Sequence, residues 1–232
     1  MPKQVEQEIN GAAILGTQLE HLVYKRAKAG KLIVIHKNDD LLIAHWSLLF
    51  QHCKGVVCLL HHELWSPAFA LFRPITEALV RACVVTVGTD EQVMKIRQDK
   101  FRVNYAKDGA MIDKALGTGT RMEDFLNVTR FLLHSLTHSG TAQLGMHFDA
   151  GQIGPSVSDG QILALLKQCS NAAFLMTMLV SQHYGMRDEI DMANELFAEY
   201  GKENAGAVAS GQRDGRQKNP SPGSATETRR SE

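Results

Sequence analysis

The chain has 232 residues, of which 44% are hydrophobic and 22% charged, a composition that supports one sizeable domain with its own core. Lys and Arg balance Asp and Glu at 25 each, so no overall charge draws the chain to DNA or to an anionic membrane. The cysteines are scattered in apolar segments, the N-terminus is polar and acidic, and no run reaches about 18 apolar residues, so we expect a cytoplasmic protein without metal or cofactor.

The first half of the chain begins with two predicted helices. Apolar residues recur with helical spacing over Lys3–Ala27, which predicts a peripheral first helix. Asn38 and the two aspartates that follow it predict the start of a second helix, over Asn38–Trp65. His45 and His52 fall on the apolar face of this second helix and are interpreted as core residues.

The segment Ser66–Val87 predicts a central helix, because most of its side chains are apolar on every side. Pro74 is expected to kink it. Its only charges, Arg73, Glu77 and Arg81, are spaced at i, i+4 and i+8 and form one stripe along the helix, which we call the charged stripe. An unpaired buried charge costs several kcal/mol, so each of these residues should have a partner. The segment therefore predicts a polar cluster inside a helical core.

Three capping boxes predict where later helices begin: Thr89–Gln92, Thr120–Glu123 and Ser158–Gln161. The first begins a highly charged helix, and the second begins a helix that ends near His138. The third begins a long apolar helix that should pack on the central helix. The segment Arg187–Tyr200 predicts a last amphipathic helix.

These elements predict an all-α fold, an up-and-down helical bundle that forms one domain over residues 1–200. Residues 201–232 are rich in Gly, Ser, Pro and charge. Such a segment cannot bury enough apolar surface to become ordered, so a disordered C-terminal tail is predicted.

A second polar stripe is predicted on the helix that follows Thr120. Arg130, His134 and His138 lie together there, because the apolar residues of that helix fall on another side. Histidines at i and i+4 can ligate a metal, or one can act as acid or base while an arginine holds an anion. The alternative is that both histidines are solvated or lie in an interface. No HExxH motif is present, which argues against a zinc protease.

Two short motifs connect the stripes with a known family. An Arg-Pro-x-x-Glu motif and a Thr-His-x-Gly motif are formed by Arg73, Pro74 and Glu77, and by Thr137, His138 and Gly140. On these motifs, residues 38–184 resemble a family of uncharacterised bacterial helical proteins with no assigned activity. The helical pattern is in turn similar to the HEPN superfamily, in which an Arg and a His at a dimer interface cleave RNA without metal. The corresponding pairs here, Arg130 with His134 or His138, have a different spacing.

Two functions follow from the stripes and the resemblance. The first is metal-independent RNA cleavage in stress or phage defence by a homodimer. In it His138 is the acid or base, Arg130 or Arg73 holds the phosphate, and Glu77 orients the arginines. The alternative is a non-catalytic helical binding module whose charged stripe is structural or receives a small anion. The catalytic candidates are Arg130, His134, His138 and Glu77, and the ligand-binding candidates are Arg73 and Arg81.

Overall fold

The computed structural model describes residues 1–28, 36–116, 119–120, 122–127, 148–149, 152–153 and 157–214. The helices are α1 Lys3–Lys28, α2 Asp39–His61, α3 Trp65–Ala70, α4 Phe72–Val87, α5 Asp90–Arg97, α6 Tyr105–Leu116, α7 Asp159–His183 and α8 Arg187–Asp214. Residues 122–127 are helical as well. Strands β1 Phe148–Asp149 and β2 Gln152–Ile153 form an antiparallel pair in which Phe148 faces Ile153 and Asp149 faces Gln152. This pair is too short to form a layer of its own, so the fold is all-α, as predicted.

The centre of the bundle is formed by α1, α2, α4 and α7. Helix α2 packs against α1, α4 and α7, and α4 also packs against α7. Asp39 at the start of α2 contacts His183 at the end of α7, while Cys53 contacts Cys169 further along both helices, so α2 and α7 run antiparallel. The predicted packing of the long apolar helix on the central helix is confirmed, since α7 packs against α4 and its apolar positions are buried in the main core cluster.

The central segment is two helices and not one, which corrects the prediction for Ser66–Val87. Helix α3 ends at Ala70 and α4 begins at Phe72, so the break comes before Pro74 and not at it. Proline has no N–H to donate to the carbonyl four residues earlier, which is tolerated in the first turn of a helix. Helix α4 is central as predicted, because it packs against α2, α5, α6 and α7.

Helix α1 is not peripheral, and this prediction was wrong. Val5, Ile9, Leu15, Leu19 and Val23 are all buried in the core. They lie along the side of the helix that packs against α2, α7 and α8. The helix therefore contributes a full apolar face to the bundle.

The first and third capping boxes are confirmed by their hydrogen bonds. Thr89 Oγ1 accepts from the backbone N–H of Gln92, and Ser158 Oγ accepts from that of Gln161, both at 3.3 Å. In each box the glutamine side chain accepts from the backbone N–H of the capping residue in return. These caps fix the starts of α5 and α7.

The helix at residues 122–127 is capped from another element, which corrects the second box. Asp113 of α6 accepts from the backbone N–H groups of Met122 at 3.0 Å and Glu123 at 2.8 Å. Gly109, one turn earlier in α6, lets the two backbones approach, since a Cβ there would lie 2.8 Å from Glu123 Cα. Thr120 instead donates its hydroxyl to Asp124, at 2.8 Å.

The start of α2 and the end of α7 meet at a buried carboxylate. Asp39 is 1% exposed, and its Oδ1 lies 2.8 Å from His183 Nε2. Its Oδ2 accepts from the backbone N–H of His36 at 2.9 Å. Burial first, and then the charge of Asp39 and a hydrogen bond to it, raise the pKa of the Tyr184 hydroxyl. An acid at a helix start and a histidine at a helix end also suit both helix dipoles. We call Asp39, His183 and Tyr184 the helix-end cluster.

The last helix passes the predicted end at Tyr200 and continues to Asp214. Residues 215–232 lie outside the described part of the chain. The domain boundary at residue 200 stays a prediction.

Two helices in the described part of the chain, α2 and α7, are long and apolar enough to cross a membrane by length and composition alone. The apolar window of α7 is 56% buried in the bundle and that of α2 33% buried. Core helices of soluble proteins pass the same test.

Candidate functional site

The charged stripe lies along one side of α4 and is held together by Glu77. Arg73 Nε donates to Glu77 Oε1 at 2.8 Å, and Arg81 Nη2 lies 3.8 Å from Glu77 Oε2. The three side chains are between 23% and 32% exposed. The helical spacing is confirmed, but the stripe lies at the edge of the core and not inside it.

The two arginines differ in how well Glu77 satisfies them. The hydrogen bond that Arg73 donates to Glu77, and then the charge of Glu77, raise the pKa of Arg73. Arg81 Nη2 lies 3.8 Å from Glu77, which is too long for a hydrogen bond. Its Nε is buried and has no hydrogen-bond partner in the described part of the chain. Arg81 therefore has N–H groups that can donate to a further acceptor.

His45 of α2 lies within electrostatic range of Arg81. Burial, and then the positive charge of Arg81, lower the pKa of His45 to about 4, so its imidazole is neutral near pH 7. Both ring nitrogens are buried and, among the described residues, neither has a hydrogen-bond partner. A neutral imidazole carries one donor and one acceptor, so an N–H of His45 is also unsatisfied.

Antiparallel packing of α2 and α4 explains why His45 lies within electrostatic range of Arg81. Gly55 lies against Leu71, since a Cβ at Gly55 would be 2.9 Å from Leu71 Cδ1. His45 lies ten residues before Gly55 on α2, and Arg81 lies ten residues after Leu71, on α4. The two residues are therefore at the same level of the bundle.

Tyr105 lies beside the other end of the stripe, at the start of α6. Burial first, and then the charge of Glu77, raise the pKa of its hydroxyl, while Arg73 opposes the shift. The hydroxyl is therefore protonated at neutral pH. The site thus combines one carboxylate, two guanidinium groups, a neutral imidazole and a phenol, with a net charge of about +1 near pH 7.

The structure brings together only part of the predicted site. The charged stripe is paired as predicted, whereas Arg130, His134 and His138 lie outside the described residues. That these three residues face the charged stripe, and that they are catalytic, are predictions from the sequence that stay predictions. Within the described part of the chain, no group of three or more His, Cys, Asp or Glu side chains could hold a metal ion.

The place of His45 in the site is not predicted by its sequence pattern. A histidine on an apolar helix face was interpreted as a satisfied core residue, but its ring nitrogens find no partner among the described residues. The signal that could have found it is the long uncharged run from Leu41 to Cys53, in which a histidine has few local partners. The level at which α2 packs on α4 cannot be inferred from that run.

The charged stripe yields a prediction for stability. Glu77→Ala should lower the free energy of unfolding by about 1–2 kcal/mol, because Arg73 loses its hydrogen bond and both arginines lose a counter-charge. Glu77→Gln should cost less, because an amide oxygen still accepts from Arg73. Urea denaturation of both variants would measure the difference.

The matched control is Glu91→Ala, which removes the acid of an exposed i, i+4 pair with Lys95. This variant should unfold like the wild type. If Glu77→Ala had no larger effect than Glu91→Ala, Glu77 would not hold the charged stripe together.

Comparison with known proteins places this site in a family. Residues 46–202 match a family of unknown function, DUF6988, and this span exceeds half of the chain. The chain belongs to the DUF6988 family. No curated protein and no solved structure matches it.

In this DUF6988 protein the family match includes the charged stripe and Tyr105. It begins at Trp46, directly after His45, and does not include α1. The family match thus covers all of the site residues on α4 and α6. On α2 it begins one residue after His45.

Proposed function

We propose that this protein is a helical binding module that receives a small oxyanion, a phosphate or carboxylate group, between α2 and α4. The observation that carries the proposal is the pair of unsatisfied side chains, Arg81 and His45, at one level of the bundle. A buried donor without an acceptor costs about 1–3 kcal/mol. An oxyanion would accept from both side chains, and arginine is well suited to bind phosphate or carboxylate.

The electrostatics of the stripe favour a single small anion. The charge of Arg73 is offset by Glu77 at 2.8 Å, which leaves Arg81 as the main source of positive potential. A bound anion would also favour the protonated form of His45, since an opposite charge raises the pKa of a histidine. Binding should therefore strengthen as the pH falls from 7 towards 5.

The test is thermal unfolding in phosphate and in chloride of equal ionic strength. Phosphate at a hundredfold excess over Kd should add about 2.7 kcal/mol to the free energy of unfolding. Arg81→Met should abolish this gain. Acetate in place of phosphate would show whether the site takes carboxylates as well.

The matched control is Arg97→Met, because Arg97 is already held by Asp40 at 2.7 and 2.8 Å. It should respond to phosphate like the wild type. An equal response of the Arg81 and Arg97 variants, or no response of the wild type, would refute the anion site.

RNA cleavage by a HEPN-like homodimer is the second candidate, on the strength of the sequence resemblance alone. It needs a proton carrier from the stripe of Arg130, His134 and His138, which lies outside the described residues. RNA breakage by the purified protein that disappears in His138→Ala would favour this enzyme over the binding module. Cytoplasmic location and homodimerisation likewise stay predictions from the sequence.

A further inference from the structure

A second feature, separate from the anion site, is a cavity between α1, α2 and α7. Its volume is about 390 Å³, and it is partly open to solvent. Small side chains keep it open: Ala12, Ala13 and Gly16 on α1 and Ala173 on α7 form its walls. Phe50 and Val56, both fully buried, also line it.

Two polar side chains in the wall of this cavity, Thr17 and Cys53, already have partners. Thr17 Oγ1 donates to the carbonyl of Ala13 at 2.8 Å, and Cys53 Sγ lies 3.9 Å from the carbonyl oxygen of Cys169. Such a lining offers few hydrogen bonds to water, so an apolar molecule can displace water from it at little cost.

The mouth of the cavity is polar but electrically balanced. Lys54 lines it, and its ammonium group lies 2.5 Å from a carboxylate oxygen of Glu20. His61 and His62, at the end of α2, also line it and are exposed. The charge of Lys54 is thus already matched, whereas the imidazoles can form a hydrogen bond with the polar end of a ligand.

We propose that this cavity binds an uncharged, mainly aliphatic small molecule whose hydroxyl end lies at the mouth beside His61 and His62. The volume supports this, since about 150 Å³ is enough for benzene and ligand sites typically start near 300 Å³. The apolar walls and the balanced mouth select against a charged ligand, which would lose its hydration without gaining a free counter-charge.

The proposal can be tested with 1-alkanols from hexanol to decanol, by calorimetric titration at pH 8. Each added methylene should tighten binding about fourfold until the cavity is full, because burying one CH₂ contributes about 0.8 kcal/mol. Decanoate should bind at least tenfold more weakly than 1-decanol. No binding of any alkanol, or tighter binding of decanoate, would overturn the proposal.

Gly16 offers a variant that fills the cavity. A Cβ built on Gly16 meets no heavy atom within 4 Å, so Gly16→Leu should enter open space. It also replaces glycine by a better helix former, which favours folding. Alkanol affinity should fall at least tenfold.

The matched control is Gly201→Leu in α8, where a Cβ likewise meets nothing within 4 Å. It should bind alkanols like the wild type, and so should Arg81→Met, which separates this site from the proposed anion site. Unchanged affinity in Gly16→Leu would refute the cavity as the binding site.

Cys53 provides a second measurement that needs no variant. Its thiol lines the cavity, so bound 1-decanol should slow its alkylation by N-ethylmaleimide at least fivefold, measured by peptide mass spectrometry. Unchanged alkylation of Cys53 at saturating alkanol would place the ligand elsewhere and overturn the proposal.

Discussion

Replacing Asp39 by alanine should lower the free energy of unfolding by about 3–5 kcal/mol, because several hydrogen-bond donors each lose a buried acceptor, at about 1–3 kcal/mol per group. The carboxylate is 1% exposed and interacts with His183, Tyr184 and the backbone N–H of His36. Its loss leaves these groups without an acceptor at the point where two central helices meet. Chemical denaturation of the variant would measure the loss.

The neighbouring aspartate is a matched control, because both acids lie in the first turn of α2 and have similar effects on the helix dipole. Asp40 is exposed and pairs with Arg97 at the surface. Asp40→Ala should therefore change stability far less than Asp39→Ala. Similar losses of unfolding free energy in the two variants would show that the acids act through the helix dipole and that the helix-end cluster does not contribute.

A double-mutant cycle with His183→Ala would measure the pair directly. Contacting residues in one network couple by about 0.5–3 kcal/mol, so the double variant should lose less than the sum of the single losses. Strict additivity would mean that Asp39 and His183 do not interact in solution.

Acid should destabilise this protein through His45, by up to about 3 kcal/mol between pH 6.5 and pH 4. Burial and Arg81 lower the pKa of His45 to about 4 in the folded chain. The unfolded chain binds the proton near pH 6.5, so it is favoured as the pH falls below that value. The stability due to a neutral His45 is complete above pH 6.5 and is lost as the pH falls to about 4.

The measurement is the free energy of unfolding from pH 8 to pH 4, for the wild type and for His45→Leu. Other groups titrate in this range, so the difference between the two proteins isolates the contribution of His45. Chloride should be the only anion, because phosphate or a carboxylate buffer would occupy the proposed anion site and protect the wild type.

His62→Gln is the control for this experiment, since His62 is an exposed histidine at the end of α2. Its pH profile should follow that of the wild type. If the free energy of unfolding changed with pH in the same way for the wild type and His45→Leu, His45 would titrate like a solvated histidine. It would then not lie in a buried environment near Arg81.

Local patterns predicted the fold well where the apolar spacing was regular. The core face of α7 and the capping boxes at Thr89 and Ser158 depend only on residues close in sequence, and all are confirmed. The burial of α1 was underestimated, because a ragged apolar pattern does not show that three other helices cover it.

The features that the sequence analysis missed depend on packing between distant segments. Asp113 caps a helix that begins nine residues later, and His45 lies within electrostatic range of Arg81 because of the way α2 packs on α4. The exposure of the charged stripe depends on packing as well, since periodicity gives the spacing of charges but not their depth. Pro74 correctly indicated an interruption, but the helix boundary formed before it.

The carboxylate of Asp113 makes the helix at residues 122–127 dependent on α6. The amides of Met122 and Glu123 donate to a side chain of another helix, so they are protected from exchange with solvent water only while α6 is in place. Opening of α6 thus exposes both segments at once, and they behave as one cooperative unit of unfolding. Residues 122–127 precede the stretch that carries Arg130 and His134. Their local stability therefore depends on that of α6, through Asp113.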